Sequence, residues 1–344
     1  GYLESVASST RGASKTPVLD DNGDPIRNED DAPKFRVETW PIATSGYVAA
    51  SFTEFTSRAD DPQLHTHVVV ANKVQGVDGV WRTVDGRLLY RYQLAAGYLH
   101  EAVLRKELTE RLGVRWQLVH NGMADVEGFT RPQIDAFSRR RHQLEAWREE
   151  QGLPDTAAAR QAAVIATRSP KRDHPLAELE VEWKQRAAEV GLSPERLAQL
   201  LGGGRKVSPV DPTRLFEQLA SAEGLTEQAS TFGRAEAVRE IAGALPEGGT
   251  RNEIESLAGT FLLTPDVVPL LPGHDIEPSE IVDDTAPARP ELLDEPTAAD
   301  GVVRQMRRRD GSLFPGVRHE CRYTSVELLA TEQRIIEQAI AGVG

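Results

Sequence analysis

Two histidines, His65 and His67, stand one residue apart at the start of an apolar run. Because successive side chains of a β-strand alternate between faces, a strand here would point both imidazoles the same way. Imidazole nitrogens are common metal ligands, so the spacing predicts part of a metal site. The pair could equally be hydrogen-bonded histidines at the rim of a core, and the residue types leave both interpretations open.

A metal site that acts on a substrate commonly has three protein ligands and one open position. Glu54 ends the preceding strand candidate, and the turn over residues 56–61 would fold it back beside the histidine pair. Two imidazoles and one carboxylate suit a divalent ion. We therefore predict His65, His67 and Glu54 as ligands. Neighbouring polar side chains would orient the rings, and the candidates are Asp60, Asp61 and Asn72.

Strand patterns surround these ligands. Alternation predicts strands over residues 35–40, 47–54 and 64–74, and Asp78-Gly79 predicts a hairpin turn. The run Val68–Ala71 is apolar on both faces, which is typical of a central strand covered on both sides.

Helix patterns complete the first half of the chain. Residues 2–11 could end a helix, a long helix is predicted from about Leu89 to Leu112 with Gly113 as its stop, and another from about 132 to 151. Residues 114–119 read as a further strand. Antiparallel strands beside helices indicate an α+β fold.

The second half of the chain differs from the first in its pattern of residue types. Residues 1–152 form the predicted α+β domain and 153–271 a helical connector. The stretch 272–303 is acidic and proline-containing, which predicts a disordered linker. Residues 304–344 would begin a further region, whose last helix starts with a capping box formed by Thr324 and Glu327.

Charge and cysteine content limit the function classes. The net charge is −13, yet it is concentrated: residues 271–300 carry nine acids against one arginine, whereas 51–150 sum to zero. Nucleic-acid binding by the first half is therefore not excluded. A single cysteine, Cys321, excludes an intramolecular disulfide and a cysteine zinc framework. No apolar run is long enough to span a membrane. We expect a cytoplasmic protein.

The stretch from Thr56 to Asn72, with Asp61-Pro62-Gln63-Leu64-His65-Thr66-His67 at its centre, followed by Asp78-Gly79-x-Trp81-Arg82, resembles a motif of conjugative relaxases of the MobF class. These are HUH endonucleases of the TrwC/TraI type. The resemblance runs from residue 1 to about 150, and residues 225–232 and 266–270 resemble the segment leading to a helicase. It implies an antiparallel HUH domain that nicks single-stranded DNA at a transfer origin through a tyrosine nucleophile and a metal ion. Other relaxosome and coupling proteins would be partners.

The chain departs from the family in two ways. Family members have a third histidine eleven positions before the pair, where this chain has Glu54, which favours harder ions such as Mg²⁺ or Mn²⁺. The family's tyrosine lies further towards the N-terminus than the matching motif here. We therefore expect no catalytic tyrosine within this chain. The alternative function is a DNA-binding or scaffolding module that keeps the fold without cleaving.

Arginines near the histidines are the candidates for DNA contact. Arg58 lies in the turn beside the pair, and Lys73 and Arg82 flank the hairpin. Arg58 could instead pair with Asp60 or Asp61. The run Arg139–Arg141 could follow a DNA backbone or form a solvated helix face.

Overall fold

A computed structural model of the chain describes residues 2–7, 9–20, 24–28, 32–168, 174–202, 204–270 and 321–342. A short helix is followed by three antiparallel two-stranded ribbons and then by a helical region, with a fourth ribbon before the last described helix. This arrangement confirms the α+β fold class. The predicted acidic linker over 272–303, and residues 304–320 of the region after it, lie outside the described residues. None of the described helices combines the length and the apolar character that a membrane crossing requires.

The N-terminal segment folds differently from its prediction. Helix α1 (Tyr2–Ala7) is short, and strand β1 (Ser9–Pro17) follows it. The helix predicted to reach Arg11 is therefore wrong, because Arg11 lies in a strand opposite Pro41. β1 pairs antiparallel with β2 (Phe35–Ala43), which confirms the strand predicted over 35–40. In the described part of the link between them, isolated bridges join Leu19 to Pro25 and Arg27 to Pro33.

The histidine strand lies in a two-stranded ribbon. Strand β3 (Ala49–Thr56) pairs antiparallel with β4 (Pro62–Val70), and no third strand joins this ribbon within the described chain. The side chains of Val68 and Val69 are 61% and 59% exposed. The prediction of a central strand covered on both faces is therefore wrong for the described fold, because each face of this strand lacks a covering layer. A short hairpin, β5 (Val74–Gln75) with β6 (Trp81–Arg82), follows as predicted.

A long helix, α2 (Gly86–Leu112), confirms its prediction. Asp85 accepts a hydrogen bond from Arg87 N at its start, and Gly113 ends it in the left-handed conformation with φ of 69°. The strand predicted over 114–119 is reduced to an isolated bridge at Trp116. The helix predicted over 132–151 is split at Phe137 and Ser138 into α3 (Arg131–Ala136) and α4 (Arg139–Glu150).

The other helices of the described chain are α5 (Ala157–Ala166), α6 (Leu176–Glu189), α7 (Pro194–Leu200), α8 (Pro212–Ala220), α9 (Arg234–Ala244), α10 (Arg251–Phe261) and α11 (Val326–Ala341). The main apolar core joins α1 and α2 to α8, α9 and α10. Gly248, at φ of 77°, lets the loop between α9 and α10 touch α2, because a Cβ there would meet the carbonyl oxygen of Ala102. The connector predicted from 153 onwards thus shares its core with α2.

Residues after 320 return to this core. Strand β7 (Val267–Leu270) pairs antiparallel with β8 (Arg322–Ser325). Thr324 lies in β8 and donates its hydroxyl to the Ser230 carbonyl. The cap of α11 is Ser325, whose hydroxyl accepts from Leu328 N, so the predicted capping box at Thr324 is one residue too early. The domain boundaries near 152 and 304 stay predictions.

One buried cation ties α2 to α9. Arg105 is 1% exposed and donates to the carbonyl oxygens of Gly122 (2.6 Å), Ala242 (3.0 Å) and Leu245 (3.3 Å). The last two lie at the C-terminal end of α9, where a helix dipole favours positive charge. Burial lowers the pKa of Arg105, and the charge of Glu101 partly opposes that shift.

We expect Arg105→Lys to lower the free energy of unfolding by about 2 kcal/mol, because an ammonium group cannot reach three carbonyls held by a planar guanidinium. Urea denaturation followed by circular dichroism measures the change. Arg111→Lys is the control: Arg111 is exposed and bonded to Glu107 one turn away, so its loss should stay within about 0.5 kcal/mol. Equal losses for both variants would contradict the role of the buried contacts.

Candidate metal site and its family

The register of the β3–β4 ribbon brings the predicted ligands together. Glu54 stands directly opposite His65, and His67 lies two residues further along the same face. The Glu54 Oε2 atom is 3.8 Å from His65 Nε2 and 3.6 Å from His67 Nε2. The two Nε2 atoms are 3.2 Å apart. One ligand atom from each residue therefore lies within 4.8 Å of the others.

The hydrogen bonds of the two rings define their protons. His65 Nδ1 lies 2.9 Å from the carbonyl oxygen of Gln63, which can only accept, so Nδ1 carries the hydrogen. In its neutral form His65 therefore presents a bare Nε2. The 3.2 Å contact then requires that His67 donates from its own Nε2. Binding an ion through both Nε2 atoms would need His67 to move its proton to Nδ1, whereas His65 is already in the binding form.

The donor set fits a divalent ion. An ion with bonds of about 2.1 Å at tetrahedral angles holds its ligand atoms about 3.4 Å apart. The three observed separations, 3.2, 3.6 and 3.8 Å, are close to that value. The His67 side chain is 57% exposed, and those of His65 and Glu54 are about one-third exposed, so solvent or a substrate oxygen has access. The carboxylate adds a hard, anionic donor to the two imidazoles.

Two of the three predicted orienting residues, Asp60 and Asp61, contact groups other than the histidine pair. The Asp61 carboxylate is 3% exposed and accepts from Arg139 and Arg186 instead of from an imidazole. Asp60 lies 3.9 Å from His174. Asn72 lies beyond the end of β4, in the link to β5. The group that orients His65 is the Gln63 backbone carbonyl, which residue identities could not indicate.

The three residues predicted to bind DNA differ in their exposure and in their partners. Arg82 is bonded to Asp78 at 2.6 Å and is partly buried, so its charge is used inside the hairpin. Lys73 is exposed in the link after β4. Arg58 lies in the turn between β3 and β4, within electrostatic reach of Arg140: burial lowers the pKa of Arg140, and the charge of Arg58 lowers it further.

The arginine run on α4 is engaged within the protein. Arg139 bonds to Asp61 and Glu182, Arg140 donates to Thr167, and Arg141 pairs with Glu145. The solvated-face interpretation therefore fits Arg141, whereas Arg139 and Arg140 connect α4 to other segments.

Residues 32–190 match the family model described as "TrwC relaxase". The match contains all three candidate ligands and the ribbon that carries them.

Residues 32–190 are therefore similar to TrwC relaxases.

The motifs indicated a resemblance from residue 1 to about residue 150, whereas the family model matches residues 32–190. The match crosses the predicted boundary at 152 and includes α5 and α6. These helices contact α4 and α3 respectively.

Two curated relatives are similar to this chain. Both are called multifunctional conjugation protein TraI and come from Escherichia coli. The protein of strain K12 is 34% identical over 161 residues, and the second is 32% identical over 160. Each alignment covers 44% of this chain and 9% of the relative, so the chain spans a small part of the relatives' length.

Solved structures of the conjugative relaxase TrwC are also similar. A metal-free complex with oriT DNA is 28% identical with a TM-score of 0.44, and the match covers 56% of this chain and 62% of that one. A metal-bound complex with oriT DNA is 31% identical with a TM-score of 0.41, covering 49% and 58%.

We expect Glu54→His to shift the metal preference of the relaxase region from Mn²⁺ towards Zn²⁺, because imidazole replaces a hard carboxylate oxygen. Competition calorimetry with the two ions measures the ratio of dissociation constants. The matched control is Glu107→His on the exposed face of α2, which should leave that ratio unchanged. An unaltered ratio in Glu54→His would mean that Glu54 is not a ligand.

Proposed function

We propose that this chain is part of a conjugative relaxase that nicks single-stranded DNA at a transfer origin by metal-assisted tyrosine transesterification. The observation that carries the proposal is the Glu54–His65–His67 cluster, which lies on one ribbon inside the region that matches the TrwC relaxase family model. The whole protein would also contain a helicase, as the resemblance of residues 225–232 and 266–270 implies.

Different residues of this chain would have different roles at the scissile phosphate. Glu54, His65 and His67 would hold the divalent ion, which when bound withdraws charge from a non-bridging phosphate oxygen. The half-exposed ring of His67 leaves the ion open on the solvent side, where a phosphate could approach. Arg58 would contact a neighbouring phosphate of the strand.

A DNA-binding or scaffolding module is the alternative, and the placement of the tyrosines favours it for the chain taken alone. Five of the six have contacts or burial that occupy them in the fold: Tyr2 with Tyr92, Tyr98 against Gly122, Tyr323 on Phe232, and Tyr47 in a half-buried position. Burial raises the pKa of Tyr47 to about 12, and Glu4 adds to the shift, so its phenol keeps its proton at neutral pH. A phosphotyrosine adduct with an origin oligonucleotide would exclude this alternative.

The metal part of the proposal is tested by titrating the chain with Mn²⁺ in a calorimeter. We expect a single site in the wild type and at least a 10-fold loss of affinity in His65→Ala, because one of three ligands is removed. The matched control is His100→Ala, an exposed histidine on α2, which should bind Mn²⁺ like the wild type. Identical titrations for the wild type and His65→Ala would refute the site.

The DNA part is tested by the salt dependence of binding to a labelled oligothymidylate of about 20 nucleotides. We expect Arg58→Ala to weaken binding and to reduce the slope of log K against log salt by about 0.7, the loss of one phosphate contact.

Arg87→Ala, which removes an exposed arginine paired with Asp85, is the control and should keep the wild-type slope. If both variants match the wild type, Arg58 does not contact the strand.

A further inference from the structure

A compact turn separates the two strands that carry the candidate ligands. Ser57 N donates to the Asp61 carbonyl oxygen, and the Ser57 hydroxyl accepts from the backbone N–H groups of Ala59 and Asp61. Asp60 takes a positive φ of 58°, in the left-handed region that aspartate tolerates better than most residues. The turn is therefore closed by its own hydrogen bonds.

Side chains from two helices outside the ribbon, α4 and α6, form hydrogen bonds with this turn. A single oxygen of the buried Asp61 carboxylate accepts from Arg139 Nε on α4 at 3.0 Å and from Arg186 Nη1 on α6 at 2.7 Å. The Trp183 indole N–H, also on α6, donates to the Asp60 carbonyl oxygen at 2.7 Å. Glu182 Oε1 accepts from both arginines and completes the network.

Packing alone does not fix the turn. An apolar cleft of about 360 Å³ lies where Pro62 and the ring of Trp183 face Phe137 and α7, so apolar contact there is incomplete. The ladder of the ribbon is also interrupted, because its register shifts between Glu54 and Thr56. Charge-assisted hydrogen bonds are the stronger constraint on this end of the ribbon.

We infer that Asp61 is a positioning residue for the metal site, holding the β3–β4 turn so that Glu54 faces the histidine pair. Glu54 and His65 are the last regular pair before the turn, so any rotation of the turn is transmitted to them first. Arg139 and Arg186 act through Asp61, and the fold of α4 and α6 thereby sets the separation of the ligand atoms. This inference rests on the proposed metal-binding function.

The test is Mn²⁺ calorimetry on the 344-residue chain carrying Asp61→Asn, an isosteric change that removes the charge. We expect the affinity to fall about 10-fold, which is the size typical of groups that orient ligands without touching the ion. Asp155→Asn is the matched control: Asp155 is an exposed aspartate bonded to Arg160 and should bind Mn²⁺ within about 2-fold of the wild type. An Asp61→Asn variant with wild-type affinity would overturn the inference.

General destabilisation is separated from positioning by Arg105→Lys, which weakens the core away from the ribbon. If this variant loses as much Mn²⁺ affinity as Asp61→Asn, the inference is wrong. If Asp61→Asn does not fold, Trp183→Phe is the second test, because it keeps a ring in the cleft and removes only the hydrogen bond to Asp60. We expect this variant to lose at least 3-fold in Mn²⁺ affinity. An unchanged Mn²⁺ affinity would reject the inference. Absence of Mn²⁺ binding in the wild type would reject the proposed metal function itself.

Discussion

The antiparallel register between β3 and β4 is the constraint on which the candidate site depends. It sets Glu54 across from His65 and places His67 on the same face, so three donor atoms from two strands meet without any contribution from a loop. Side chains of a strand have a period of two, and a register one residue away would send the carboxylate to the opposite face. The turn network that fixes this register is thus as much a part of the site as the ligands.

The histidine spacing and the strand pattern led to the three residues whose side chains the ribbon brings together, because alternation along a strand is a local property. The long helix ending at Gly113 was predictable for the same reason, since its signals lie within the helix and its cap. The exposure of Val68 and Val69 was not, because an apolar run indicates a buried strand only if other layers cover it. The partners of Asp61 lie 78 and 125 residues away in sequence, and no local pattern connects them.

The region that matches the relaxase model and the helical region after it share one apolar core, although the residue pattern of the sequence changes between them. Helix α2, inside the matched region, forms one core with α9 and α10, which lie beyond residue 190. Arg105 strengthens that junction by bonding to the end of α9. A change of composition along a chain shows where one pattern of helices and strands gives way to another. It does not show where one apolar core ends.

The hydrogen bond from His65 to the Gln63 carbonyl has a consequence for comparing sequences. The acceptor is a backbone atom, which every amino acid supplies, so the side chain at position 63 can change while the ring keeps its proton on Nδ1. Substitution patterns among homologues would therefore not mark this position, although it determines which nitrogen of His65 faces a metal. Some of the information that prepares a site for binding is carried by the path of the main chain and leaves no signature in residue identity.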